Sequence, residues 1–144
     1  MTQVTLSNIV YQIPRKLTNE LLHLAQLSPD AEVCGLIGAV NGVPCTCYPV
    51  ANAADQPQRR FLLDAKQQID AMAAMRAKNE ELFAIYHSHP SAPAEPSVYD
   101  LDEAAYNDAL YLIISLNTKG VLEMRGFKIN HNTATEVVLT LSDS

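Results

Sequence analysis

The sequence predicts an α/β protein with one mixed β-sheet flanked by helices. In the first part of the chain, segments with the two-residue repeat of strands alternate with segments of helical repeat, and further strands joined by short turns follow. The length of 144 residues predicts a single domain, over residues 1–144. A composition of 48% apolar and 18% charged residues excludes a disordered or collagen-like chain.

The predicted elements are short apolar segments bounded by turn residues. Helices are predicted over residues 17–27, 65–78 and 98–107. Strands are predicted over residues 8–13, 33–40, 43–50, 59–63, 82–87, 111–116, 121–129 and 135–141. This order favours a sheet with both parallel and antiparallel neighbours, covered by helices.

Local signals define the elements of the first half. Pro14 is expected to end the first strand, and the Ser-Pro-Asp segment at 28–30 to end the first helix. The Asn-Gly pair at 41–42 favours the positive φ angles of a two-residue hairpin, so the strands on either side are expected to pair. Asp64 lies three residues before Gln67, a capping-box pattern that opens the second helix.

Prolines and turn residues define the second half. Residues 88–96 hold three prolines and are expected to be irregular. Ser97 precedes the third helix as its predicted cap. Turns are expected at residues 117–120 and 131–132, where they join the last three strands.

The charge balance argues against a nucleic-acid partner. The chain has 10 Lys and Arg against 16 Asp and Glu, a net charge of −6, whereas proteins that bind the phosphate backbone are basic. The longest apolar runs, 33–40 and 109–114, are far shorter than the roughly 20 residues that span a bilayer, and the N-terminus shows no export signal. Three cysteines, an odd number, do not suggest a disulfide framework. We therefore expect a soluble, cytoplasmic protein with no nucleic-acid or membrane partner.

The segment from residue 87 to residue 100 carries the candidate chemistry. His87 and His89 lie two residues apart at the end of a predicted strand, so their side chains face the same side. Two imidazoles placed in this way can converge on one metal ion. Asp100 follows a proline-rich loop, in the first turn of the next predicted helix, and can return to the same point. Two histidines and one carboxylate leave the open coordination position that a catalytic zinc needs.

Each of these residues also has a simpler interpretation. Histidines at a strand end are often polar surface residues. Ser97 and Asp100 form a Ser-x-x-Asp pattern that favours a helix cap. Capping does not exclude ligation, since the two side chains can perform different tasks. Short motifs alone do not decide between these interpretations.

The same residues resemble the signature of the JAMM (MPN+) metallopeptidases. The signature consists here of His-Ser-His-Pro at 87–90 and Pro-Ser-x-x-Asp at 96–100. Glu32 resembles that family's acidic residue on an early strand. The matching segments cover most of the chain and include residues 32–38, 48–52, 60–61 and 111–116. The sequence is most similar to the short, free-standing bacterial members.

The resemblance implies the MPN fold, of cytidine-deaminase-like architecture, and the activity of a zinc peptidase. It implies that His87, His89 and Asp100 hold one Zn²⁺ ion, with water in the fourth position. It also implies that Glu32 takes the proton of this water and passes it to the leaving amine, and that Ser97 donates a hydrogen bond to the oxyanion. Peptide hydrolysis by a zinc enzyme needs metal ligands, a general base and an oxyanion donor of these types. Spacing alone does not select Glu32, which lies 55 positions before His87.

The implied substrate is a peptide or isopeptide bond at the C-terminus of a small ubiquitin-like protein. In bacterial members we expect this partner to be a sulfur-carrier protein ending in Gly-Gly, or one of its conjugates. The chain lacks the insertions with which larger deubiquitinating members grip ubiquitin. Two alternatives stay open, a non-catalytic scaffold of the same fold and a regulatory module that binds zinc without turnover. The sequence assigns no oligomeric state.

Other potential ligands and nucleophiles have ordinary interpretations. Cys45 and Cys47 form a C-x-C pattern without the C-x-x-C spacing of structural zinc sites. Cys34 is predicted to be a small buried apolar residue. His23, in the first helix, and His131, in a turn, are predicted to lie at the surface.

Overall fold

The computed structural model describes residues 4–106, 108–117 and 122–143. Its strands are β1 (Val4–Pro14), β2 (Cys34–Val40), β3 (Val43–Val50), β4 (Glu81–His89), β5 (Leu110–Ser115), β6 (Glu123–Asn130) and β7 (Thr133–Ser142). Its helices are α1 (Arg15–Gln26), α2 (Ala65–Ala77) and α3 (Val98–Glu103). The strands form one mixed sheet in the order β1-β7-β6-β5-β4-β2-β3. The predicted α/β class, a mixed sheet flanked by helices, is confirmed.

The sheet separates two apolar cores, one covered by α1 and the other by α2. Along β4, Ala84 and Tyr86 belong to the α1 core, whereas Ile85 belongs to the α2 core. Because strand side chains alternate, His87 and His89 share the side of Ile85. The fold therefore places both histidines on the α2 side of the sheet.

The strand that carries the histidines lies between β2 and β5. It is antiparallel to β2 and parallel to β5, with Cys34 opposite His87 and Ser115 opposite His89. The carboxyl end of β4 is therefore beside the start of β2. After the proline-rich loop, α3 begins at Val98, and Asp100 in its first turn contacts both histidines at this same edge of the sheet.

Both predicted hairpin turns are confirmed. Asn41 and Gly42 have φ angles of 51° and 80°, and they join β2 to β3. His131 and Asn132 have φ angles of 50° and 64°, and they join β6 to β7. Consecutive positive φ angles give the backbone twist that matches the flanking strands.

The second helix begins at its predicted cap, but the capping box is incomplete. Asp64 Oδ2 accepts a hydrogen bond from the backbone N–H of Gln67 at 3.0 Å. The Gln67 side chain instead accepts from the backbone N–H of Ala51 at 2.7 Å. Gln67 therefore anchors the loop before the helix and does not return to Asp64.

The prediction of a strand over residues 59–63 is wrong. A single bridge, between Asn52 and Leu63, forms in this region. The side chain of Asn52 bonds to the carbonyl oxygen of Arg60 at 3.1 Å and to the N–H of Leu62 at 3.0 Å. Since these backbone groups are used by a side chain, they are not available to a neighbouring strand, and the segment stays irregular.

The third helix is shorter than predicted and ends at Glu103. The N–H groups of Ala105 and Tyr106 donate to the hydroxyl of Tyr111 at 3.2 and 3.1 Å. This hydroxyl replaces the carbonyl partners that would continue the helix. The predicted end near Asn107 lies outside the described residues.

Some other predicted bounds also change. β1 begins at Val4, and α1 follows Pro14 without a loop. β4 extends through His89, so residues 88–89 belong to the strand and not to the irregular segment. Residues 118–120 of the predicted turn, residue 121 of the next predicted strand and the first three residues lie outside the described ranges.

The expected positions of the remaining cysteine and histidine residues are confirmed. Cys34 is buried, and burial raises the pKa of its thiol to about 12. All three cysteines are free thiols. His23 and His131 are exposed. In the part of the chain that the structure describes, no helix has the length and apolar character needed to cross a membrane.

Candidate metal centre

Three potential ligand atoms converge at the carboxyl end of β4. His87 Nε2 and His89 Nε2 lie 3.2 Å apart, and each lies 3.1 Å from Asp100 Oδ2. The three residues are 0%, 2% and 4% exposed, respectively. The alternative interpretation of the histidines as surface residues is therefore wrong.

The triangle of donor atoms fits a zinc ion. Tetrahedral zinc with bonds of about 2.0–2.1 Å separates its ligand atoms by roughly 3.3 Å. The three separations of 3.1 to 3.2 Å come close to this value. Two imidazole nitrogens and one carboxylate oxygen are also a donor set that catalytic zinc takes, with one position left open.

Hydrogen bonds to neighbouring backbone groups orient two of the three candidate ligands, His89 and Asp100. His89 Nδ1–H donates to the carbonyl oxygen of Pro93 at 2.7 Å, so in the neutral imidazole Nε2 carries the lone pair that a metal ion needs. The backbone N–H of Ser97 donates to Asp100 Oδ2 at 2.8 Å. The proline-rich loop and the start of α3 thus supply the outer contacts that metal ligands normally have.

His87 is oriented by stacking. The centre of its ring lies 4.3 Å from that of Phe61, with 21° between the ring planes. His87 Nδ1 is buried and has no hydrogen-bond partner among the described residues. Contact with Phe61 therefore restrains the ring of His87, as the hydrogen bond to Pro93 restrains that of His89.

Interactions inside the cluster shift the pKa values of its members. Burial alone raises the pKa of Asp100, but the charges and hydrogen bonds of His87 and His89 outweigh it and hold this pKa well below its usual range. Burial lowers the pKa of His87, against the attraction of Asp100. Burial also acts to lower the pKa of His89, but hydrogen bonding to Asp100 raises it overall. Asp100 is therefore ionised at neutral pH, as a metal ligand must be.

Glu32 lies beside this cluster. Its carboxylate offers an oxygen within 4.8 Å of the three donor atoms. The residue is 4% exposed, and its Oε1 has no hydrogen-bond partner among the described residues. Burial raises the pKa of Glu32 to about 8, against the nearby His89. A buried carboxylate oxygen without a partner needs one, and a water or a substrate N–H can fill that place.

Glu32 reaches the cluster because the next residue is held by β4. The N–H of Val33 donates to Ser88 Oγ at 2.9 Å, and the N–H of Ser88 donates to the Val33 carbonyl at 3.0 Å. Ser88 lies between the two histidines in the sequence, and its side chain points to the opposite side of the strand. One strand thus places both imidazoles and holds the segment that carries Glu32.

Ser97 caps α3. Its Oγ accepts a hydrogen bond from the N–H of Asp100 at 3.0 Å, and the carboxylate of Asp100 accepts from the N–H of Ser97, so the capping box is complete. The interpretation of this pair as a cap is confirmed. A hydroxyl that accepts one hydrogen bond still has its own hydrogen to donate. The role of Ser97 as an oxyanion donor therefore stays a prediction.

A cavity of about 230 Å³ opens at the cluster. Its walls include Glu32, His89 and Ser97, together with Arg59 and Tyr99. The cavity is large enough for a short extended peptide segment, and a folded domain must remain outside it. The candidate base, one candidate ligand and the candidate oxyanion donor thus border the same space.

Comparison with known proteins identifies the family. A family model described as prokaryotic homologs of the JAB domain matches residues 14–128. The chain belongs to the prokaryotic JAB family. The family expected from the signature is thereby confirmed.

Two curated relatives carry names that describe a cleavage reaction. This JAB protein is 30% identical to a CysO-cysteine peptidase of Mycobacterium tuberculosis over 129 residues, which cover 88% of each chain. It is also 30% identical to a desampylase of Haloferax volcanii over 89 residues, which cover 60% of this chain and 64% of the relative. The second match therefore spans less than two thirds of that relative's length. The expectation of a peptidase agrees with both names.

Solved structures agree with the fold. A protein of Desulfitobacterium hafniense superimposes with a TM-score of 0.80 at 28% identity, over 99% of this chain and 94% of the other. A JAB1/MPN domain protein of Archaeoglobus fulgidus superimposes with a TM-score of 0.58 at 18% identity, over 94% of this chain and 97% of the other. The second similarity shows the fold alone, and it confirms the expected MPN architecture of this JAB domain.

Two residues at the site were not predicted to have a role. Phe61 and Asn52 lie in segments that match the family, but neither can bind a metal strongly or transfer a proton. Their contacts join positions that are distant in the sequence, as in the stacking of Phe61 on His87. The feature of the sequence that could have pointed to them is an aromatic residue and an amide in a polar loop. Such residues are common in loops without a function, so this feature alone does not indicate a role.

Proposed function

We propose that this JAB protein is a zinc-dependent peptidase or isopeptidase that cleaves at the C-terminus of a small ubiquitin-like sulfur-carrier protein. The observation that carries the proposal is the arrangement of His87, His89 and Asp100 around one point, beside the unpartnered carboxylate oxygen of Glu32. The names of the two curated relatives support the reaction class.

We assign one zinc ion to His87 Nε2, His89 Nε2 and Asp100 Oδ2. Three protein ligands leave a position for water or substrate, as in catalytic zinc sites. A bound zinc ion supplies a Lewis acid that acidifies water and polarises the scissile carbonyl. The N–H of Ser97 and the carbonyl of Pro93 hold two of these ligands in place.

Glu32 is the proposed general base and acid. Its buried Oε1 accepts a proton from the attacking water, and the same carboxyl then gives this proton to the leaving amine. Burial raises the pKa of Glu32 above its ordinary value, which makes its carboxylate a stronger base than that of an exposed glutamate. Ser97, on the wall of the same cavity, donates its hydroxyl hydrogen to the oxygen of the tetrahedral intermediate.

The small volume of the cavity favours an unfolded C-terminal tail over a folded segment as the part of the substrate that enters. About 230 Å³ holds a few residues, and glycine brings the backbone closest to the walls. The folded part of the carrier then stays outside. The leaving group is either a C-terminal amino acid or the lysine of a conjugated protein, and the CysO-cysteine peptidase and desampylase names represent these two forms.

We also propose a cytoplasmic location, since three free thiols are typical of a reducing compartment.

The test is cleavage of carrier fusions by purified protein of known metal content. Two substrates are needed, a carrier with one extra C-terminal amino acid and a carrier joined to a lysine side chain. We expect one zinc ion per chain and cleavage of at least one substrate, abolished by a chelator and restored by zinc. Glu32→Gln should keep zinc and lose activity by about 10²- to 10⁴-fold.

The matched control is His23→Ala, which removes an exposed histidine of α1 and should leave both metal content and cleavage unchanged. If the wild-type protein binds zinc but cleaves neither fusion, the regulatory zinc module becomes the better description. If it binds no metal, the proposal of a zinc enzyme is wrong.

A further inference from the structure

The side chain of Asn52 uses its complete hydrogen-bonding capacity inside the loop before α2. Its Nδ2 donates to the carbonyl oxygens of Glu32 and Arg60 at 3.0 and 3.1 Å. Its Oδ1 accepts from the N–H groups of Ala54 and Leu62, both at 3.0 Å. An amide with two donors and two accepting lone pairs can form four such bonds, and all four are present.

The bond from Asn52 holds the backbone carbonyl of Glu32, and another residue of the same loop holds the backbone N–H of Glu32. The N–H of Glu32 donates to the carbonyl of Pro57 at 2.7 Å, and Pro57 lies in the segment that Asn52 closes. Glu32 stands before the first residue of β2, so no ladder of strand hydrogen bonds fixes it. Since its Oε1 has no partner among the described residues, the position of the carboxylate depends on backbone anchoring, which this loop supplies at Glu32 and Ser88 supplies at Val33.

The loop closed by Asn52 also reaches the candidate ligands. Phe61 lies between the two residues that Asn52 binds, Arg60 and Leu62, and it stacks on the ring of His87. One side chain therefore fixes the segment that touches the candidate base and the segment that touches a candidate ligand.

We propose that Asn52 is a positioning residue for Glu32. By donating to the Glu32 carbonyl and closing the loop around Pro57, it sets the distance between the Glu32 carboxylate and the cluster of His87, His89 and Asp100. The catalytic consequence rests on the proposed function of Glu32 as general base. The positional link itself does not depend on activity and can be measured without substrate.

Gln67 provides a matched control, because it anchors the same loop without contacting Glu32. Its side chain accepts a hydrogen bond from the N–H of Ala51, next to Asn52. A variant of Gln67 therefore loosens the start of the loop, whereas a variant of Asn52 also releases the backbone of Glu32. Comparing them separates positioning of the base from general support of the loop.

The experiment compares Asn52→Asp, Asn52→Ala and Gln67→Ala in the full chain. Asp is nearly the same shape as Asn and keeps the acceptor oxygen, but it cannot donate to the Glu32 carbonyl. Ala removes the whole amide from a half-buried position, where water can replace it, and serves as the second variant if Asp prevents folding. We expect both Asn52 variants to lose about 10- to 100-fold in kcat, with KM within about twofold and one zinc ion still bound. Gln67→Ala should change kcat by less than about twofold.

Amide hydrogen exchange supplies the readout that does not need activity. The N–H of Glu32 should exchange at least about tenfold faster in the Asn52 variants than in wild type or Gln67→Ala. Unchanged Glu32 exchange in a folded Asn52 variant would overturn the proposal, and so would equal kcat losses in the Asn52 and Gln67 variants. If wild type cleaves no substrate but the exchange pattern is as expected, the proposed reaction fails while the positioning of Glu32 by Asn52 stands.

Discussion

The aromatic rings of Phe61 and His87 lie 4.3 Å apart and almost parallel, and this contact connects an irregular loop to a strand end. His87 Nδ1 has no hydrogen-bond partner among the described residues, so on this side of the ring stacking takes the place of a hydrogen bond. The orientation of His87 Nε2 towards Asp100 and His89 therefore depends on an apolar side chain as well as on the polar contacts within the cluster.

Phe61→Leu should weaken zinc binding by about 10- to 100-fold, the range typical for loss of a group that orients a ligand. The physical reason is that leucine fills part of the volume but presents no flat surface to the imidazole. Competition with a chromogenic chelator measures the affinity. The control is Phe83→Leu, which removes a ring that contacts Tyr11 edge-on, away from the site. Equal zinc affinities for Phe61→Leu and wild type would show that stacking does not orient His87.

Asp100→Ala should lose bound zinc, because it removes one of three protein ligands. The loss of affinity should exceed the about 10- to 100-fold expected for a residue that only supports a ligand. Elemental analysis of the purified variant gives the metal content. Asp102→Ala, an exposed aspartate of the same short helix, should retain one zinc ion per chain. A full zinc content in Asp100→Ala would contradict the assignment of this ligand.

Ser97→Ala should retain zinc but lower kcat by about 10²- to 10³-fold, which corresponds to about 2.7–4 kcal/mol for one oxyanion donor. The same change removes the cap of α3 and should cost about 1 kcal/mol of unfolding free energy. Ser97→Thr keeps a hydroxyl that can both cap and donate, and it should recover most of the rate. Steady-state kinetics and denaturant unfolding separate the two effects. A normal rate in Ser97→Ala would leave Ser97 as a cap alone.

Glu32→Gln should stabilise the metal-free protein, and the gain should depend on pH. Burial raises the pKa of Glu32 from 4.5 to about 8, so the folded protein holds this proton more tightly than the unfolded chain does. The unfolding free energy is therefore unaffected by the burial of this carboxyl below pH 4.5, where it is protonated in both states, and it decreases as the pH rises towards 8. Gln resembles the protonated form at every pH. The unfolding free energy of the variant should exceed that of wild type by about 2–4 kcal/mol at pH 8 and by little at pH 4.5.

Urea unfolding of chelator-treated protein at several pH values measures this difference. Glu20→Gln, an exposed glutamate of α1, is the control and should show no comparable pH-dependent gain. A stability difference for Glu32→Gln that is the same at pH 4.5 and pH 8 would mean that Glu32 is not held in a buried, desolvated position.

Several features of the fold and site follow from local sequence patterns. The positive φ angles at 41–42 and 131–132, the shared face of His87 and His89, and the capping pair Ser97 and Asp100 all involve neighbours in the chain. Such features depend on the periodicity of strands and on the preferences of single residues for turns and caps. These local features can therefore be predicted from the sequence. The family signature adds the catalytic roles of Glu32 and Ser97, which the spacing of residues does not provide.

Other features depend on contacts between distant segments. The 59–63 segment has the apolar pattern of a strand, yet Asn52 occupies its backbone groups and keeps it irregular. The end of α3 is set by the hydroxyl of Tyr111, which reaches the chain from β5. In both cases a side chain from another segment outcompetes the local preference.

The sequence by itself determined the α/β class, the hairpin turns and which imidazoles share a face, because these depend on residues a few positions apart. The family resemblance implied a role for Glu32, but only the tertiary structure shows that it is buried, that its Oε1 has no hydrogen-bond partner among the described residues, and that it lies beside a cluster whose first member is 55 positions later. The tertiary structure also decided that Asn52 anchors the backbone of Glu32 and that Phe61 covers His87. The reason is that such proximity results from how β2, β4 and the loop before α2 assemble, and no local pattern encodes the distance between them.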